Sequence, residues 1–241
     1  NLLEAARTCQ TVGSIVNVTT DKVYENMERT NGYMEDERLC GFDPYSNSKS
    51  CSDIITYSYR NSFFNQSVSP SVSTARSGNV IGGGDFAKDR IIPDCVRAAA
   101  KKEAIVVRNP HSVRPYQHVL DCLSGYLVLA EKQYEDKAKY QGSYNFGPNE
   151  DDIITTGELV NIFCKTWGKD QTWENKSDDG PHEANLLFLN CTKAKSALKW
   201  YPRWNISTAV QKTVEWSKEY LDGRSVRTCI DKQINEFFYK G

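Results

Sequence analysis

Runs rich in β-branched residues alternate with runs of helical character along this chain, and that alternation limits the fold more than any other feature. Ser14-Ile15-Val16-Asn17-Val18-Thr19 follows a helix-like stretch (residues 1–8) and a stop at Gly13. A polar loop, residues 25–41, leads to Asp43-Pro44, an N-cap and a first-turn residue, so a helix is predicted from there to about residue 64. Ser71-Val72-Ser73-Thr74-Ala75 reads as the next strand. Helices are expected over residues 92–102, 119–133, 156–167, 192–198, 207–221 and 226–238, with strands at 105–107, 144–147 and 186–189. Strands joined through helices imply βαβ units and a parallel sheet, hence the α/β class. Such sheets bind ligands beyond the carboxyl ends of their strands. That rule directs attention to Thr19-Thr20-Asp21-Lys22 and Arg76-Ser77-Gly78-Asn79.

Composition removes several function classes. The 241 residues carry a net charge of −1, which argues against a dedicated nucleic-acid binder. No apolar run approaches the roughly 18 residues of a membrane span, and no leader peptide is read at the start. Asn1 runs straight into a helix-like segment, so the sequence is expected to open in mid-domain. The eight cysteines include no C-x-x-C pair, so neither a metal site nor a disulfide scaffold is expected. A cytoplasmic location follows from that reading, with the five N-x-S/T sequons taken as chance. His111 and His182 have no partner that spacing names. Trp200, Trp204 and Trp216 are expected in the core of a C-terminal domain.

Tyr45 and Lys49 form Y-x-x-x-K at a helix start, and the i,i+4 spacing puts both side chains on one face. An ammonium beside a phenol favours the phenolate, which can take a proton from an alcohol as hydride departs. Chance alone produces such a pair in a chain with 13 tyrosines, so its setting decides. The setting is a β-strand that ends in Thr20, then a loop, then the helix. It is accompanied by T-D-K-V-Y-E-N (20–26), D-P-Y-S-x-S-K (43–49), A-R-S-G-N-V-I-G-G-G-D (75–85), D-R-I-I-P-D (89–94) and R-P-Y-Q-H-V-L (114–120). Together these resemble the CDP-glucose 4,6-dehydratases of the extended short-chain dehydrogenase/reductase superfamily. The likeness is dense to about residue 150 and loose beyond. Thr-Asp-Lys favours this group over dTDP-glucose dehydratases, which carry Thr-Asp-Glu, and over UDP-sugar 4-epimerases, which usually lack the acid.

The resemblance implies a partial Rossmann-like, doubly wound parallel sheet plus a smaller mixed α/β C-terminal substrate domain. Residues 1–80 and 114–150 would belong to the NAD-binding part, and 81–113 and 151–241 to the nucleotide-sugar domain. It implies NAD as cofactor and dehydration of CDP-glucose to CDP-4-keto-6-deoxyglucose, a step toward bacterial deoxysugars and lipopolysaccharide O-antigen. Tyr45 would take the C4 hydroxyl proton. Lys49 would hold the nicotinamide ribose, and Thr20 would bond the C4 oxygen. Asp21 would be the acid at C6 and Lys22 the base nearest C5. Thr19 is placed at the cofactor; Arg76 either serves structure or faces the cofactor. Asn79, Arg90 and Arg114 would take the nucleotide diphosphate. A homodimer or homotetramer packed through the long helices is implied, with no nucleic-acid or membrane partner.

Other readings stand beside this one. A different nucleotide-sugar 4,6-dehydratase or a 4-epimerase would share the fold. A catalytically silent fragment is the other, because no G-x-x-G-x-x-G turn with its following acidic residue occurs here, and the sequence reads as the C-terminal part of a longer chain. The run Gly82-Gly83-Gly84 marks a loop, with phosphate proximity and simple turn geometry equally open. Tyr116 stands where related sequences often carry Trp and is expected to stack on sugar or base. His118 is expected to be a hydrogen-bonded residue at a helix start.

Overall fold

The computed structural model describes residues 1–168, 170–176 and 186–239. Elements follow in chain order: α1 Leu2–Thr8, β1 Ser14–Val18, α2 Pro44–Ser62, β2 Ser71–Ser77, β3 Val80–Ile81, α3 Ile91–Lys101, β4 Ile105–Val107, β5 Val113–Arg114, β6 Gln117–His118 and α4 Val119–Glu135. Then come α5 Lys137–Tyr140, β7 Ser143–Phe146, β8 Ile154–Thr155, α6 Thr156–Trp167, β9 Trp173–Asn175, α7 Ile206–Leu221 and α8 Val226–Tyr239. The protein is α/β with parallel sheets. It divides into two compact units, one made of Asn1–Gly78, Cys122–Gly147 and Leu187–Tyr201, the other of Asn79–Asp121, Pro148–Leu186 and Pro202–Gly241.

The first unit is built on a parallel sheet in the order β1-β2-β7. Side chains alternate across a strand, and here the two faces take different helices. Asn17, Thr19, Thr74 and Arg76 bond to residues of α2. Ser14, Ser71, Ser73 and Ser77 bond to residues of α4. Gln133 of α4 acts as a polar staple, donating to Ser14 Oγ at 2.7 Å and to the Ile15 carbonyl at 3.0 Å while accepting from Ser73 Oγ at 2.5 Å. Apolar packing completes the unit around Tyr24, Leu129, Tyr144, Phe146 and Trp200.

Among the described residues, the second unit holds three two-stranded pairs, β3-β6 and β4-β9 parallel and β5-β8 antiparallel. Its core is apolar and helix-rich, with Leu159, Val160 and Phe163 of α6 clustered with Ala209, Val210 and Val214 of α7. α6 starts at a capping box in which Thr155 Oγ1 accepts from the Glu158 amide and the Glu158 carboxylate accepts from the Thr155 amide.

Two expectations about the C-terminal region are corrected. The run 186–189 is not a strand; Leu186 and Leu189 make isolated bridges to Val113 and Tyr33. Apolar residues there serve burial without a ladder, which hydrophobicity alone does not distinguish. Trp200 belongs to the first unit, edge-on to Phe146 at 5.0 Å between ring centres, whereas Trp216 packs in the second. The helix expected at 192–198 is present and takes a wide π-type turn over Ala194–Leu198. His182 lies outside the described residues.

Candidate active site

At the carboxyl end of β1 the chain leaves the sheet through Thr19 and Thr20, both buried. Thr20 caps a short 3₁₀ turn, Asp21–Val23, in an extended backbone conformation. Its hydroxyl donates to Asp21 Oδ1 at 2.9 Å and accepts from the Lys22 amide at 3.4 Å. Asp21 is buried and Lys22 half-buried.

α2 starts where Asp43 accepts from the Ser46 amide at 3.0 Å, with Pro44 in the first turn. The Asp43 carboxyl is held below the usual range chiefly by its bonds to Ser46, and the Lys22 ammonium adds a smaller contribution. Lys22 therefore sits within electrostatic reach of the helix start. A direct bond ties the turn to the helix: Ser50 Oγ donates to the Val23 carbonyl at 2.8 Å and accepts from the Gly41 amide at 3.0 Å. Gly41 permits this approach, since a Cβ there would lie 2.3 Å from the Ser46 carbonyl carbon. Tyr45 presents its ring outward, 56% exposed, and Lys49 is half-buried one turn on. The structure thus gathers the turn bearing Thr20, Asp21 and Lys22 against the first turns of the helix that carries Tyr45 and Lys49.

Sequence reasoning missed the buried network behind this cluster. Asp53 of α2 and Arg76 of β2 form an ion pair at 2.8 Å, each 2% exposed. Thr19 Oγ1 donates to the same carboxylate at 3.0 Å. Arg76 Nη1 donates to the Tyr24 hydroxyl at 2.7 Å and to the Glu35 carbonyl at 2.9 Å. These bonds account for Thr19 and Arg76 without a ligand. Burial raises the Tyr24 phenol and the Glu35 carboxyl, so both favour their neutral forms more than in water. Burial works against the Arg76 charge, but Asp53 and Tyr24 together outweigh it and the guanidinium holds its proton more tightly. The one signal in the sequence was spacing: Asp53 continues the Tyr45–Lys49 line by four residues.

The expected substrate-binding residues all fall in the second unit. The Asn79 carbonyl accepts from the Gln117 amide at 3.0 Å, and among the described residues its side-chain amide makes no hydrogen bond. Arg90 stands at the N-terminus of α3 with its side chain 66% exposed, paired to Asp85 at 3.1 Å. Arg114 is buried in β5, and its Nη1 donates to the Val113 carbonyl at 3.1 Å. Gly83 lies against Trp216, where a Cβ would be 2.1 Å from the indole, so ring packing accounts for this glycine.

A stacking role for Tyr116 is overturned. The ring is 3% exposed within the second core and its hydroxyl pairs with Thr156 Oγ1 at 3.0 Å, so no face is open to a ligand. His118 is buried at the start of α4, its Nδ1 accepting from the Leu120 amide at 3.2 Å. Burial, then the Lys212 charge, lowers this imidazole to about 4. Nearby in sequence, burial raises the Asp121 carboxyl to about 6 against the opposing bond from the Arg203 amide. No group of three or more His, Cys, Asp or Glu side chains suited to a metal occurs among the described residues. Among them, no helix is long and apolar enough to cross a membrane.

Comparison with known proteins bears on this arrangement. The family model for GDP-mannose 4,6 dehydratase matches residues 1–213. The CDP-glucose 4,6-dehydratase of Salmonella typhimurium is 40% identical over 241 residues, covering 98% of this chain and 67% of that protein. A dTDP-glucose 4,6-dehydratase of Streptomyces antibioticus is 27% identical over 222 residues, covering 89% of this chain and 59% of its own length. Among solved structures, the dTDP-glucose 4,6-dehydratase of Bacillus anthracis in complex with NAD superposes with a TM-score of 0.76 at 25% identity, over 92% of this chain and 67% of that one. The chain thus spans 59–67% of the length of these relatives.

Proposed function

Because this chain belongs to the GDP-mannose 4,6 dehydratase family, the nucleotide-sugar dehydratases of extended short-chain dehydrogenase/reductase type, we propose that it carries the catalytic residues of an NAD-dependent CDP-glucose 4,6-dehydratase. The observation that supports this most is the joining of Thr-Asp-Lys to the Tyr45–Lys49 helix through Ser50 and Val23, in a chain 40% identical to a CDP-glucose 4,6-dehydratase.

An exposed phenol and a half-buried ammonium on one helix face suit a nicotinamide ribose, and Tyr45 with Lys49 would hold it. Bound NAD supplies the acceptor for a hydride from the sugar C4 and its return at C6. Tyr45 takes the C4 hydroxyl proton, with the Lys49 ammonium one helical turn away on the same face. The Thr20 hydroxyl steadies the C4 oxygen. A ketone at C4 acidifies the proton at C5. Lys22 takes that proton, and Asp21 delivers a proton to the C6 hydroxyl so that water leaves; as hydride adds at C6, Lys22 gives the proton back to C5. The Thr20 hydroxyl, which donates to Asp21 in this structure, would turn its one proton to the C4 oxygen when the sugar binds. Asn79, Arg90 and Arg114 are the residues proposed for the diphosphate.

The test is to supply NAD with CDP-, dTDP-, UDP- and GDP-glucose in turn and follow the alkaline absorbance of a 4-keto sugar. Product from CDP-glucose is expected. Product only from another nucleotide would remove the CDP assignment, and none from any would remove the dehydratase reading. The proposed partner is a second copy of the chain. α2 leaves Ile54, Ile55 and Tyr57 exposed, and α4 leaves Leu127 and Tyr134 exposed. Light scattering that returns a monomer mass at micromolar concentration would reject this dimer.

A further inference from the structure

Tyr45 and Lys49 are not the last polar members of their helical line. Asp53 follows at the same interval, and its carboxylate is almost fully withdrawn from water. A buried carboxylate is costly unless its acceptor sites are filled. Here Oδ2 accepts from Thr19 Oγ1 at 3.0 Å and Arg76 Nε at 2.9 Å. Oδ1 accepts from Thr74 Oγ1 at 3.1 Å and Arg76 Nη2 at 2.8 Å. Arg76 then reaches the Tyr24 hydroxyl. Thr19 directly precedes the Thr20–Val23 segment and Tyr24 directly follows it. One ion pair therefore grips both flanks of the Thr-Asp-Lys turn and the helix of the Tyr-Lys pair.

We propose that Asp53 and Arg76 form a positioning clasp that sets the Thr20–Lys22 turn against the Tyr45–Lys49 helix. The inference rests on the reading that this turn and this helix perform the chemistry. It assigns Arg76 to the clasp and makes Asp53 a positioning residue that touches no reacting atom. Carboxylate and guanidinium meet through two parallel bonds, which fix orientation as well as distance. An error of about 1 Å in such a setting costs on the order of 100-fold in rate.

The test compares the parent with Thr19→Val and Asp53→Asn by hydrogen–deuterium exchange of residues 19–24 and by steady-state turnover of CDP-glucose. Thr19→Val deletes one bond and leaves the ion pair whole, so it answers the question even if Asp53→Asn does not fold. The expected result is exchange at 19–24 faster by about tenfold or more, with residues 156–167 unchanged. Turnover should fall by about tenfold or more while KM for CDP-glucose stays within about twofold. Unchanged exchange at 19–24 overturns the clasp. So does faster exchange with kcat intact, or a raised KM for NAD at unchanged kcat, which would make Thr19 a cofactor contact. Faster exchange in a protein whose parent dehydrates no nucleotide sugar leaves the fastening of the turn supported and removes only the function assigned to it.

Discussion

The face that α2 turns to its sheet is polar, with Ser46, Ser50, Asp53 and Thr56 buried on it. The buried face of α6 is largely apolar, with Leu159, Val160, Phe163 and Trp167. Both helices are anchored, but by different forces. Apolar burial is non-directional and accommodates small shifts at little cost. Hydrogen bonds, including those that join the Asp53 carboxylate to the Arg76 guanidinium, hold only at short range and in line. α2 is thus held to its sheet by directional contacts, and α6 to its core by apolar packing.

The largest expected effect falls on the exposed end of the polar helix. Tyr45→Phe should lower turnover by about 10²–10⁴-fold and leave the melting temperature unchanged, because the ring buries little. A fall in stability instead would mean the phenol is structural. Next come matched core losses. Phe163→Ala should cost about 3–5 kcal/mol in denaturant unfolding, and Asp53→Asn a similar ~3–5 kcal/mol by stranding a buried cation. The double change Asp53→Leu with Arg76→Met sharpens the contrast. It should recover much of that stability, since no charge is left unpaired, yet not the turnover. Recovery of both would show that the polar face is ordinary packing.

A smaller effect is expected from pH. Unfolded His118 takes up a proton near 6.5, whereas the folded imidazole resists until about 4. Its contribution to stability is therefore full above pH 6.5 and is lost as pH falls toward 4. Asp121 runs the other way, from an ordinary value of 3.8 to about 6. Its contribution is full below 3.8 and is lost as pH rises through 6. His118→Phe should remove the loss on acidification and expose the opposite trend of Asp121. Parallel stability curves for parent and variant between pH 4 and 6.5 would contradict this. Smallest of all, Thr155→Ala should cost about 1 kcal/mol through the lost cap.

Much of the fold could be read locally. Asp43-Pro44 announced α2, and the β-branched run at Ser14 announced β1, because caps and strand propensity act over a few residues. The Y-x-x-x-K spacing and the Thr-Asp-Lys string marked the candidate residues for the same reason. The clasp was not legible. Asp53 reads as a solvated helix position until Thr19, Thr74 and Arg76 arrive from 34, 21 and 23 residues away. Tyr116 failed as a ligand contact because its ring joins a core gathered from distant segments, and its hydroxyl partner, Thr156, lies 40 residues on. The run at 186–189 failed because apolar composition reports burial, not ladder pairing.

A helix fastened by Asp53 cannot ratchet along its sheet by one turn, since every alternative register would strand a full charge in the interior. The carboxylate therefore works as an index mark, fixing where along the strands Tyr45 comes to rest. Anyone transplanting this helix into a different scaffold would have to carry over the threonines and the arginine that read the mark.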